Sequence, residues 1–174
     1  MTGLDSAYEG DKAFGAAVTL DLEAQETEEI RTVAGRIDFP YVPGFLAFRE
    51  APIIIAAARE LRKGTDLYLV DGHGYAHPRR FGLASHVGVA LNAPTIGVAK
   101  SRLCGTIVGS RLKDRGETIG AIVRKQSKPL YVSVGHGISL RDSIRVVSRC
   151  LRVAPKDPIT LAHIEANRMK RMNR

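Results

Sequence analysis

Three acidic residues carry the clearest chemical signal in this 174-residue chain. Asp5 and Asp71 each stand where a short apolar run, read as a β-strand, reaches its end. Glu50 lies between them in a stretch of helical period. Carboxylates gathered at one edge of a sheet repel each other unless a cation sits between them. Hard oxygen donors with no cysteine in the set suit magnesium, with manganese as its substitute, rather than zinc. Such an ion can act on a phosphodiester through Lewis-acid and water-activating chemistry. His163, in Leu161-Ala162-His163, is a fourth candidate to meet the metal or the water.

The segment Asp71-Gly72-His73-Gly74-Tyr75-Ala76-His77-Pro78-Arg79-Arg80-Phe81-Gly82 is dense in residues with special properties. Gly72 and Gly74 let the backbone approach a ligand. His73 and His77 offer donors, and Arg79 and Arg80 offer positive charge for phosphates. Tyr41, in Pro40-Tyr41-Val42-Pro43-Gly44, sits in a loop stiffened by two prolines, so its ring can be held out as a wedge against a base stack. Lys100 follows an apolar run and falls at the same expected sheet edge as Asp71, placed to steady phosphate charge. Each residue alone has a plainer reading: an aspartate in a turn, a packed helical histidine, a tyrosine folded over the core, a snorkelling lysine. Within the segment 71–82 the density of special residues favours function over a plain glycine-rich turn.

Positioning these groups requires strands and helices in a particular order. Residues 1–7, 13–22 and 28–37 read as three consecutive strands with short, turn-like separators, hence an antiparallel meander. Residues 45–61 carry apolar side chains at helical spacing, with Pro52 where a helix tolerates it best or bends. Leu67-Tyr68-Leu69-Val70 reads as a strand buried on both faces. A helix over 82–91 and a strand over 95–99 follow, then strand material around Ile107, 119–123 and 130–134. Ser139 is placed to cap one helix, and Asp157 with Pro158 to open the last. The expected class is α/β: a ribonuclease H-like mixed sheet, three antiparallel strands followed by parallel strands, with helices on both faces.

Composition fits one domain over residues 1–174, with 44% hydrophobic and 25% charged residues. Lys and Arg number 26 against 18 Asp and Glu, a net charge of +8, which favours an anionic partner such as nucleic acid. Cys104 and Cys150 lack CxxC spacing, so no disulfide framework or zinc site is expected. No run approaches the ~20 apolar residues of a membrane span, and no secretory signal is visible. A cytoplasmic protein is expected, and a monomer.

These segments together resemble the endonuclease V family. The matching pieces are Gly3-Leu4-Asp5, the Pro-Tyr-Val-Pro-Gly loop, Leu46-Ala47-Phe48-Arg49-Glu50, Asp71 through Gly82 with Leu83-Ala84-Ser85-His86, Gly97-Val98-Ala99-Lys100-Ser101, Tyr131 through His136, and Leu161-Ala162-His163. They run in the family's order over nearly the whole chain. The resemblance implies magnesium-dependent nicking of DNA near deaminated purines, at the second phosphodiester bond 3′ to inosine, leaving 3′-hydroxyl and 5′-phosphate ends. An inosine-specific endoribonuclease and a non-catalytic nucleic-acid-binding module are the alternatives. It implies metal ligation by Asp5 and Asp71, a site completed by Glu50 and His163, and support from Lys100. Tyr41 would be the wedge, and Gly44, Leu46, Gly72 and His77 would border the pocket for a flipped hypoxanthine. Similar members carry a helical lead before the first strand. Here Asp5 is the fifth residue, so a shortened form or a start further upstream is expected.

Overall fold

The computed structural model describes residues 1–42, 44–125, 128–153 and 157–173; Pro43 of the proline-bounded loop lies outside them. Among the described residues nine strands form one sheet in the order β3-β2-β1-β4-β5-β9-β8-β7-β6. The first three, β1 (Thr2–Glu9), β2 (Lys12–Asp21) and β3 (Glu26–Arg36), are the antiparallel meander expected. Helix α1 (Leu46–Arg59) follows, with Pro52 inside its second turn. Then come β4 (Tyr68–Asp71), α2 (Leu83–Leu91) and β5 (Thr95–Ala99), with β4 parallel to both β1 and β5.

The later strand material resolves into four strands: β6 (Thr106–Val108), β7 (Arg111–Asp114), β8 (Glu117–Lys125) and β9 (Lys128–His136). All pair antiparallel, and β9 returns against β5. Helices α3 (Leu140–Val153) and α4 (Pro158–Met172) close the chain. Ser139 Oγ accepts from Asp142 N at 3.1 Å, and Asp157 Oδ1 accepts from Thr160 N at 2.9 Å. Both helices thus begin with a side-chain cap on an otherwise orphaned N–H.

The sheet is covered on both faces. On one side α1 and α2 bury Ile54, Ala57 and Val87 against Leu4 and Val70. On the other, α3 buries Val147 and Cys150 against Leu69, Ile96 and Val98. There α4 buries Ala162 and Ala166 against Phe14, Ala16 and Val18. Alternation along each strand sets which face a residue serves. Leu4 and Val70 face α1, so their neighbours Asp5 and Asp71 face the α3–α4 side.

One expectation needs correction. Asp5 lies mid-strand, because β1 continues to Glu9 on the strength of its ladder with β2. What ends near Asp5 is the parallel ladder with β4, which runs Thr2↔Tyr68, Gly3↔Leu69 and Leu4↔Val70. Asp5 and Asp71 occupy the next rung, side by side on one face.

Gly3 decides how α4 approaches this rung. A Cβ there would stand 2.1 Å from the Pro158 carbonyl oxygen. Only a glycine lets the start of α4 press onto β1, and that seating carries His163 toward Asp5.

Candidate active site

The two aspartates and His163 each offer one ligand atom, and these atoms all lie within 4.8 Å of one another. Asp5 is 7% exposed, fixed by Ser6 N donating to Oδ1 at 2.7 Å and by His163 Nδ1 at 2.7 Å from Oδ2. Lys100 follows β5, two residues after Val98, the register partner of Asp71, and so projects on the same face. Its Nζ donates to Asp71 Oδ2. Beyond His163, one turn along α4, Asn167 Nδ2 donates to the His163 carbonyl at 2.9 Å and lies 3.3 Å from Nε2.

Glu50 is a neighbour of this triangle rather than a member, because α1 brings it from the opposite face of the sheet. It still feels the aspartates. Burial, then Asp5 and Asp71, push its carboxyl up to about 7 against the relief of Arg49. Asp5 itself is pushed up to about 6, first by burial and then by Asp71, with Ser6 and His163 opposing. Burial pulls the Lys100 ammonium down, but the bond and charge of Asp71, with Asp5 and Asp157, outweigh it and hold the group above its ordinary value. Crowded carboxylates of this kind gain from a shared cation. The donor set is carboxylate oxygen and imidazole nitrogen, and the free thiols Cys104 and Cys150 are not in it. That chemistry fits magnesium or manganese.

Beside the acids lies a cavity of about 300 Å³, within the range of ligand pockets. Glu50 and Asp71 line it together with Tyr41, Gly44, Leu46, Gly72 and His77. All the sequence-derived pocket residues except Arg79 are therefore gathered around one space. Its wall also holds an aromatic group that sequence reasoning passed over: Phe81 and Phe48 stand 4.5 and 5.2 Å from the His86 ring, both edge-on. The available signal was Phe81 and His86, five residues apart across the start of α2.

The glycine-histidine loop is held rigidly. Gly74 N donates to Ser133 Oγ at 3.0 Å and Tyr75 N to the Val134 carbonyl at 2.6 Å. A Cβ on Gly74 would stand 2.0 Å from that same carbonyl oxygen, so the loop lies on β9 only because the residue is glycine. Arg79 Nη1 donates to the Gly44 carbonyl at 2.9 Å, and the guanidinium lies 4.1 Å over the Phe45 ring. Arg79 thus braces the loop that bears Tyr41, which is 68% exposed. Arg80, read from sequence as free charge for phosphate, pairs with Asp114 at 2.8 Å and Glu117 at 3.0 Å. The β7–β8 hairpin, unplaced from sequence, supplies both acids from the strand ends that flank its turn.

Among the described residues no helix is long and apolar enough to cross a membrane. The chain is 45% identical over 161 residues to endonuclease V of Roseiflexus sp., covering 87% of this chain and 72% of the relative. The crystal structure of endonuclease V from Streptomyces avermitilis superposes with a TM-score of 0.90 at 37% identity, over 99% of this chain and 81% of that one. Endonuclease V of Ciona intestinalis, in complex with a 24mer DNA containing an inosine followed by a ribo-adenosine, superposes with a TM-score of 0.88 at 26% identity, over 99% and 86%. The endonuclease V family model matches residues 1–164, from the strand that bears Asp5 to just past His163, and the chain belongs to the endonuclease V family.

Proposed function

We propose that this protein is a magnesium-dependent endonuclease that nicks DNA at the second phosphodiester bond 3′ to hypoxanthine or another deaminated purine. The observation that carries this reading is the convergence of Asp5, Asp71 and His163 beside a cavity lined by the wedge and loop residues. The inosine-bearing DNA held by the Ciona relative supports the substrate class.

In this reading Asp5, Asp71 and His163 hold magnesium, with Glu50 adjoining and manganese able to replace it. Bound there, the ion supplies Lewis acidity and charge neutralisation at the scissile phosphate. Water adds to phosphorus opposite the 3′ oxygen, the P–O3′ bond breaks, and the products carry 3′-hydroxyl and 5′-phosphate ends. Glu50, pushed up to about 7 by burial and the two aspartates in the metal-free site, ionises more readily once a cation offsets them and is then placed to take the proton of that water. Lys100, already donating to Asp71, faces the charge that grows on the phosphate oxygens. Tyr41 fills the gap left by the displaced base. Backbone groups around Gly44 and Gly72 read the purine 6-position, where a donor in adenine becomes an acceptor in hypoxanthine.

A labelled inosine duplex, incubated with magnesium or with a chelator, tests the proposal. Cleavage is expected only with metal, and Asp71→Asn is expected to abolish it while lesion binding persists. Turnover by Asp71→Asn in magnesium would refute the assignment. A second reading, cleavage of inosine in RNA, is favoured by the ribo-adenosine in the Ciona complex. The same assay on inosine RNA decides between them.

A further inference from the structure

The nuclease mechanism leaves one strongly charged surface unused. Arg141, Arg145, Arg149 and Arg152 on α3 are all exposed and recur at spacings of four, four and three residues. On a helix this places them within one narrow stripe, about 17 Å long, with neighbours about 6 Å apart along the axis. The opposite side of α3 is core, where Val147 and Cys150 meet Leu69, Ile96 and Val98.

Like charges three or four residues apart destabilise a helix. Solubility alone would be served by mixed charges, and only limited compensation is present. Asp142 lies 2.9 Å from Arg145, and the exposed Glu23 lies 3.8 Å from Arg149. Arg141 and Arg152 have no ion pair among the described residues. The C-terminal half of α3 reaches the catalytic edge: Val147, Cys150 and Leu151 share a cavity of about 340 Å³ with Lys100, the partner of Asp71. Lys128 lines the same cavity, adding a second cation to its wall.

We propose that the α3 arginine stripe is a docking surface for the sugar-phosphate backbone of double-stranded nucleic acid. It would hold the part of the substrate that extends away from the phosphate at Asp5 and Asp71. The proposal rests on the nuclease reading. Planar guanidinium groups suit phosphate oxygens, and their spacing along one helix suits a row of phosphates rather than a single anion. These contacts carry no sequence information; they fix register and supply salt-dependent affinity.

The test is the affinity of the full chain for a labelled undamaged duplex, from about 50 to 200 mM salt, where each phosphate contact contributes roughly 0.9 to the slope of log K against log salt. The variant carrying Arg141→Gln, Arg145→Gln, Arg149→Gln and Arg152→Gln is expected to bind at least about tenfold more weakly, with a slope shallower by about 3, and to melt no earlier than the parent. The matching four Arg→Lys changes are expected to restore most of the slope. Unchanged affinity and slope in the glutamine variant would make the stripe a solvated face. Equal loss of binding to anionic phosphatidylserine vesicles, with duplex binding intact, would reassign it to a membrane surface. Failure to cleave inosine substrates with the slope change still present would sink the nuclease reading and leave the docking surface standing.

Discussion

His163 Nδ1 lies 2.7 Å from Asp5 Oδ2, so the last helix is tied to the first strand across 158 residues of sequence. The bond sits at the rung where the β1–β4 ladder ends and Asp71 stands alongside. Two carboxylates, an imidazole and the Lys100 ammonium thus meet at the rung just beyond the β1–β4 ladder. The electrostatic cost of that gathering sets how the site responds to pH, metal and substitution.

Stability should fall as pH rises in metal-free protein. Asp5 and Glu50 have folded pKa values near 6 and 7, above their ordinary 3.8 and 4.5. Between the lower and upper values the unfolded chain has released the proton and the folded one has not. The penalty therefore starts near pH 4, grows through pH 6, and is complete above about pH 7. For Asp5 alone a rise from 3.8 to about 6 corresponds to about 3 kcal/mol. Melting curves from pH 5 to 8 with a chelator should show the loss, and magnesium should reverse most of it by favouring the ionised forms. A metal-free midpoint that rises across this range would contradict the assignment of the two buried acids.

Lys100 should show opposite effects on binding and turnover. Its ammonium occupies Asp71 Oδ2, one of the two carboxylate oxygens that Asp71 can offer a cation. Lys100→Met should lower the magnesium concentration for half-maximal rate, because a competing cation is gone. It should also cut turnover by about a hundredfold or more, the usual cost of removing a charge-stabilising donor. A magnesium titration with initial rates separates the two effects. If the variant needs more magnesium, Lys100 is helping to order the metal site rather than competing with the ion.

Tyr41→Ala should leave the melting temperature unchanged, since the ring is 68% exposed. Discrimination for inosine duplex over undamaged duplex should weaken by about 1–3 kcal/mol, the scale of one base–aromatic stack. Competition binding with both duplexes reads this directly. Arg79→Ala should reproduce part of the effect at a distance, because Arg79 holds Gly44 and Phe45 beneath the wedge loop.

Much of this arrangement was legible in the sequence, and the misses share a cause. The strand over 95–99 and the caps at Ser139 and Asp157 follow from local pattern. The mid-strand position of Asp5 did not, because the length of β1 is set by pairing with β2 rather than by its own composition. The β6–β9 meander was only fragments, since its exposed strands, such as Thr106–Val108, lack a clear alternating pattern. The closeness of His163 to Asp5 depends on how α4 crosses the sheet, which no local window contains. The pairing of Arg80 with Asp114 and Glu117 was hidden for the same reason. Lone Gly3 gave the one local hint, as a glycine in an apolar strand marks a close approach.

Gly3 supplies the most exacting test of how packing sets the site. Its missing side chain lets the Pro158 carbonyl come within 2.1 Å of the place a Cβ would occupy, and the neighbouring Ile159 N within 2.7 Å. Both contacts are backbone, so no side chain can swing aside. In Gly3→Ala the start of α4 must move away from β1. Asp157, whose capping bond to Thr160 N is 2.9 Å, fixes the direction of the helix and should carry the displacement along it to His163. The variant should lose about 1–3 kcal/mol of stability, as overpacked sites do. Its rate should fall much further than Asp5 chemistry alone would require, because a displacement near 1 Å at a reacting group can cost about a hundredfold. Denaturation and single-turnover cleavage on the same preparation measure both losses. Activity that survives at the parental rate, in a variant destabilised as expected, would show that the seating of α4 on β1 holds the fold without positioning His163.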